Sequence, residues 1–169
     1  MDCLEAIRTR RSIRAFTKEK VADEQVEKII EAGMYAPSAG NQQPWQFIVI
    51  TDKNILEKVP DIHPYATMVE QAPVAILVCG DTSLEKFKGF WVQDCAACVQ
   101  NILLAAHALG LGAVWTGVYP AQDRVQGLQK LCKLPKHVVP LALIPLGHPA
   151  QKPGTAQRFK EARIHRDTW

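Results

Sequence analysis

The sequence predicts an α+β fold. Helical periodicity runs through residues 23–36 and 90–109. Short, almost wholly apolar stretches, "WQFIVIT" and "PVAILVCG", alternate with these helices. They are too short for helices and rich in β-branched residues. The chain has 169 residues, which suits one domain over 1–169, and 47% of them are hydrophobic, enough for a sizeable core.

The elements follow in order. "DCLEAIRTR" reads as a first helix with Leu4, Ile7 and Arg8 at helical spacing. In "DEQVEKIIEAGMYA", Asp23 is placed to cap the start, and Val26, Ile29, Ile30 and Gly33 line one face. Trp45 to Thr51 and Pro73 to Gly80 are strands, and their apolar runs imply cover on both faces. Residues 90–109 form the longest helix, ended by Gly110 and apolar nearly all round, so it is expected to be central and buried. "GAVWTG" (Gly112 to Gly117) is a short strand, "AQDRVQGLQKLC" a helix weakened by Gly127, and "HVVPLALIPLG" a strand with prolines at its bends. The tail from His148 is polar and basic, and repeats and linkers are absent.

Composition narrows the classes. The net charge of +3 is too mild to mark a nucleic-acid binder. No apolar run reaches the ~18 residues of a membrane helix, and "MDCLEAIRTRR" lacks the apolar region of a secretory signal. Five cysteines without a framework of paired spacings read as reduced thiols of a cytoplasmic protein. The Cys95-Ala-Ala-Cys98 match falls inside the long apolar helix, where small buried residues are expected, not a redox or metal pair.

Two stretches carry chemistry. Arg10-Arg11-Ser12-Ile13-Arg14 sets three guanidiniums and a hydroxyl within five residues. In extended backbone Arg10, Ser12 and Arg14 share a side, a good receptor for a phosphate and the electron-rich edge of a heterocycle. A solvated basic turn is the plainer reading. "APSAGNQQPW" (Ala36 to Trp45) gathers Ser38, Asn41, Gln42 and Gln43 around Gly40. It is either a polar turn or one wall of a binding site. Glycine fingerprints for nucleotides, H-E-x-x-H and G-x-S-x-G are all missing, and no metal site is expected. His107 reads as a satisfied core residue, and Asp94 as a cap or buried polar partner. Without a nucleophile–base pair, a cofactor must supply the chemistry.

"RTRRSIRAF", "AGMYAPSAGNQQPWQFIVI", "GLGAVWTGVYP", "LIPLGHPAQKP" and "QRFKEARIHRDTW" occur in an order that resembles the nitroreductase family, FMN-dependent NAD(P)H oxidoreductases, over essentially the whole chain. The likeness is to its short members. It implies a nitroreductase-like fold with a central mixed sheet flanked by helices, in an intertwined homodimer with FMN at the subunit interface. It implies hydride transfer from NADH or NADPH through FMN to a small organic acceptor, such as a nitroaromatic or quinone, in ping-pong fashion.

By the same resemblance, Arg10, Arg11, Ser12 and Arg14 bind FMN, Arg10 at the phosphate and Arg14 toward the pyrimidine edge. Pro37, Ser38, Asn41, Gln43, Pro44 and Trp45 contact the FMN held mainly by the other subunit. Thr116 and Gly117 offer backbone N–H groups to the flavin N5 edge. Arg158, with Arg163 second, clamps the phosphate. The chain departs from the family's longer nitroaromatic reducers in lacking their extra helices, and no lysine lies between Asp61 and Gln71. Two other classes stay open: a flavin-using relative with a different reaction, of the flavin-destructase or dehalogenase kind, and a non-enzymatic basic binding module.

Overall fold

The computed structural model describes residues 1–169. Its centre is an antiparallel sheet packed on both faces. The helices are α1 (Cys3–Thr9), α2 (Asp23–Met34), α3 (Lys53–Leu56), α4 (Val59–Ile62), α5 (Trp91–Ala108) and α6 (Gln122–Leu131). The strands are β1 (Trp45–Ile50), β2 (Val74–Asp81), β3 (Gly112–Ala113), β4 (Thr116–Gly117) and β5 (Val138–Gly147). Strand order is β1-β2-β5-β3, with β4 also on β5. No helix is long and apolar enough to cross a membrane.

The mixed sheet implied by the resemblance is corrected here. Trp45 pairs with Gly80, Val74 with Leu146, Gly112 with Gly147 and Thr116 with Leu143, and all four ladders are antiparallel. A mixed sheet needs a parallel neighbour, and this chain supplies none.

Successive residues of β2 take opposite sides, as strand geometry requires. Ile76 and Val78 join Val26, Ile29, Cys98, Ile102 and Ile144 in one core, under α2 and α5. Ala75, Leu77 and Cys79 join Leu56, Val59, Val125, Leu128 and Leu143 in the other, under α3, α4 and α6. Cover on both faces therefore holds for β2 and β5. It fails for β1, an edge strand whose Val49 is exposed.

Local chemistry explains three departures from the predicted elements. The strand over 112–117 is two short pairings, and the break falls opposite Ile144 and Pro145, where Pro145 has no N–H to give. Asp23 is the first residue of α2 and not its cap. Gln25 Oε1 accepts from the Ala22 N–H instead, at 3.3 Å. In α1, capped by Asp2 accepting from Glu5 N–H at 2.8 Å, Ala6 faces inward while Leu4 and Ile7 face out.

The principal helix contact is α2 on α5. It depends on Gly33, where an added Cβ would lie 2.9 Å from Ile102 Cγ1 and 3.0 Å from Cys98 Sγ. We expect Gly33→Val to force the helices apart at a cost of about 1–3 kcal/mol. Urea unfolding at fixed protein concentration measures this, and an unchanged midpoint would contradict it.

Cys95 and Cys98 point into the same core, as expected for small buried residues. Burial pushes the Cys98 and Cys79 thiols up to about 12 and Cys95 higher still, so none forms thiolate near neutrality. Mild alkylation of the native protein at pH 8 should label exposed Cys3 and leave Cys79, Cys95 and Cys98 untouched, as read by peptide mass.

Candidate functional site

The arginine segment is extended and strapped to the chain's C-terminal third. Ile13 N–H donates to Ala113 carbonyl (3.0 Å), Thr17 N–H to His148 (2.9 Å) and Ala150 N–H to Ala15 (2.9 Å). Gln151 Oε1 accepts from the Arg14 and Ala15 N–H groups at 2.9 and 3.0 Å. Ile13 turns inward against Gly112, while Arg14 is exposed and Ser12 half-buried. The predicted alternation is present.

Arg10 is half-buried, and three effects lower its pKa: burial first, then the neighbouring charges of Arg158 and Arg11. Arg158, on the polar tail, is thus brought to Arg10 from far along the chain. Arg11 makes the connection. Its Nη1 donates to the Arg8 and Arg10 carbonyls (both 2.8 Å) and its Nε to Gly154 carbonyl (3.1 Å), so it pins the tail beside α1. Arg163 sits further out on an exposed turn.

His107 borders this cluster and is half-buried, not a core residue. Thr9 Oγ1 donates to Glu5 carbonyl at 2.7 Å, so at its 2.8 Å contact with His107 Nε2 the imidazole is the donor. Burial, then Arg10 and Arg11, hold the His107 pKa down. The chain's one carboxylate contact with a basic side chain within 4 Å, Glu19 with the His148 imidazole at 3.6 Å, lies elsewhere. Three guanidiniums therefore meet with no carboxylate in salt-bridge contact, Glu5 acting only on neighbouring His107, an arrangement that suits a phosphate.

The loop after α2 is held differently. Gly40, Asn41 and Gln43 have left-handed φ values of 52°, 52° and 48°. For Asn41 and Gln43 that conformation is uncommon and must be imposed by the surroundings. Gln43 N–H donates to Ser38 Oγ at 3.0 Å. Pro37, Asn41 and Gln43 are exposed, Ser38 is half-buried, and Pro44 and Trp45 are buried. Gln42, absent from the sequence-derived site set, is the buried anchor: its Nε2 donates to Asp94 Oδ2 at 2.6 Å. Asp94 is the buried polar partner that the sequence allowed.

At Thr116 the hydroxyl donates to Leu143 carbonyl at 2.6 Å, leaving only backbone to face a ligand. An added Cβ at Gly117 meets nothing within 4 Å, so a flat group can approach there. Arg124 Nη1 donates to Gly117 carbonyl at 3.1 Å, and its guanidinium lies 5.4 Å from the Tyr65 ring centre. His63, buried beside this group, has neither ring nitrogen in a well-formed hydrogen bond. Its pKa is lowered by burial and then Arg124, against a weaker opposing effect of Gly117 carbonyl. His63 and Arg124 lacked any sequence signal, since each stands alone in its segment.

The two walls do not meet within one chain. The loop is tied to Asp94 in the first turn of α5, and the arginines lie at His107 in its last turn. Thirteen residues of helix (94 to 107) separate those points by about 20 Å.

Comparison with known proteins fits these features. The nitroreductase family model matches residues 7–63 and 61–148. A protein of Methanothermobacter thermautotrophicus, named for NADH dehydrogenase or NAD(P)H nitroreductase activity, is 57% identical over 100% of this chain and 88% of its own. A structure of a similarly named protein from Parabacteroides distasonis has a TM-score of 0.95 and 42% identity, covering 98% of both chains. A Desulfovibrio desulfuricans structure, described as a nitroreductase in complex with FMN, has a TM-score of 0.84 and 38% identity, over 98% of this chain and 96% of that one. With its arginine cluster, its strained amide loop and matches along its whole length, the chain belongs to the nitroreductase family.

Proposed function

We propose that the chain, as one domain over 1–169, is an FMN-dependent NAD(P)H oxidoreductase that works as a homodimer with FMN at the subunit interface. The observation that carries this reading is the Arg10–Arg11–Arg158 cluster, three cations gathered without a salt-bridging carboxylate. A phosphate monoester would relieve their mutual repulsion, and no glycine fingerprint for an adenosine diphosphate is present, which favours FMN over FAD. The names of the relatives, and the FMN in the Desulfovibrio structure, support the same cofactor.

When bound, FMN supplies the redox chemistry, taking hydride from NADH or NADPH and passing it to a small organic acceptor, such as a nitroaromatic or quinone, in two half-reactions. The chain's own residues bind and orient. Arg10 and Arg158 hold the phosphate, and Arg11 fixes the tail that carries Arg158. Arg14, exposed on the outward side of its segment, offers positive charge to the pyrimidine edge, where charge grows on reduction. Thr116 and Gly117 present backbone to the ring, with open space in front of Gly117. Ser38, Asn41 and Gln43 form the opposite wall, from the other subunit. The buried thiols take no part, and five free cysteines suit a cytoplasmic setting.

Two observations support the dimer. The walls lie about 20 Å apart in one chain. Leu4, Ile7, Met34, Tyr35, Phe159 and Trp169 are also exposed, as expected of a large apolar interface of ~2,000–5,000 Å².

Arg10→Ala and Arg158→Ala should each weaken FMN binding about ten- to a hundredfold, since a charge-assisted hydrogen bond contributes roughly 1.5–3 kcal/mol. Flavin fluorescence titration checks this, and wild-type affinity in both variants would move the phosphate elsewhere. Mixing tests the shared site. Arg10→Ala removes one wall. Gly40→Val, strained by φ 52° and by Phe87 Cε2 at 2.5 Å from the new Cβ, disrupts the other. Subunit exchange between the two weak binders should create one intact site per mixed dimer, seen as a gain in bound FMN. No gain despite exchange would place both walls in one subunit.

A further inference from the structure

Gln42 and Asp94 lie in the core beneath the loop, 7% and 4% exposed. Asp94 Oδ1 accepts from Ala39 N–H at 2.9 Å and Oδ2 from Gln42 Nε2 at 2.6 Å. Gln42 Oε1 accepts from the N–H groups of Lys86 and Phe87, at 2.8 and 3.2 Å. Lys86 Nζ returns to Gly40 carbonyl at 3.1 Å, and the Phe87 ring packs over Gly40. This buried carboxylate has no cation beside it. Hydrogen bonds and the N-terminal end of α5 offset its charge. Two loops and one helix end therefore converge on four hydrogen bonds, in which each oxygen accepts and each nitrogen donates.

We propose that Gln42 and Asp94 are positioning residues, a clasp that holds Gly40, Asn41 and Gln43 in their left-handed conformation and so presents Ser38, Asn41 and Gln43 to the flavin. The proposal rests on the FMN reading above. Its physical basis is preorganisation. Asn41 and Gln43 do not adopt positive φ unaided, and their own side chains, being exposed, do not enforce it. Beneath the loop the clasp supplies a buried polar contact, and it grips on either side of Gly40 and Asn41, at Ala39 and at Gln42.

Donor and acceptor order makes the clasp separable from mere packing. In Asp94→Asn, the new amide oxygen still serves Ala39, so its NH2 faces the NH2 of Gln42. Turning Gln42 over only transfers the conflict to the Lys86 and Phe87 N–H groups. In Gln42→Glu, two carboxylates face each other. The reciprocal pair, Gln42→Glu with Asp94→Asn, restores all four bonds. The amide now at position 94 donates to the carboxylate now at position 42, which still accepts from the Lys86 and Phe87 N–H groups. Size and shape barely change in any of the three.

The test measures FMN affinity by fluorescence and the visible circular dichroism of the flavin at saturation, on full-length protein of verified oligomeric state. Each single variant should bind FMN about ten- to a hundredfold more weakly and show an altered dichroism band even when saturated. The double variant should regain both the affinity and the wild-type band. Wild-type affinity in the singles, or an unaltered saturated band, would overturn the proposal, because a purely structural role leaves the bound ring's surroundings unchanged. A double variant as weak as the singles would also overturn it. If a single variant does not fold, the double alone decides on the same two readouts. Absence of FMN binding by the wild-type protein would instead sink the flavin reading.

Discussion

Burial of α5 against the sheet is the constraint to which the other parts refer. Its inward residues, Cys98, Ile102 and Ala106 among them, lie in the main core, and Gly33 lets α2 settle on the same helix. The first turn of α5 holds the amide loop through Asp94, and the last turn meets α1 through His107 and Thr9. A rigid helix of 18 residues thus fixes the spacing of two otherwise unrelated surface segments. Their separation is set by a helix packed into the main core.

Electrostatics works on top of that frame. Arg11 satisfies three carbonyl contacts and thereby carries the tail to α1, while Arg10 is left crowded by like charge. Such crowding disfavours the free protein, and an anion placed there would relieve it. In the loop, the left-handed residues lie between backbone and side-chain groups bonded to buried Asp94.

Much of this was legible in the sequence, and the limits were physical. Runs such as "PVAILVCG" declared a doubly covered strand because burial on both faces leaves no polar position. "WQFIVIT" looks alike and is an edge strand, since hydrophobicity does not say what covers a face. Leu4 and Ile7 marked a helix correctly but not the direction of its apolar side. In the site, Arg10 and Arg158 were readable as cations matching a family pattern, and the structure does bring them together. Gln42 was hidden among three neighbouring amides, because only the tertiary fold decides which of Asn41, Gln42 and Gln43 turns inward. His63 carried no signal, its surroundings being assembled from distant segments.

The outer side of β1 has a consequence for the life of a newly made chain. Six residues, Trp45 to Ile50, pair with β2 on one side only, and none of them is charged or proline. Natural sheets usually blunt such an edge, because its free N–H and C=O groups template another strand. Uncovered, this one invites irregular accretion, with fibres or precipitate as the outcome. Covering this edge promptly would then be a matter of colloidal survival, and rapid synthesis to high local concentration would be the hazardous regime.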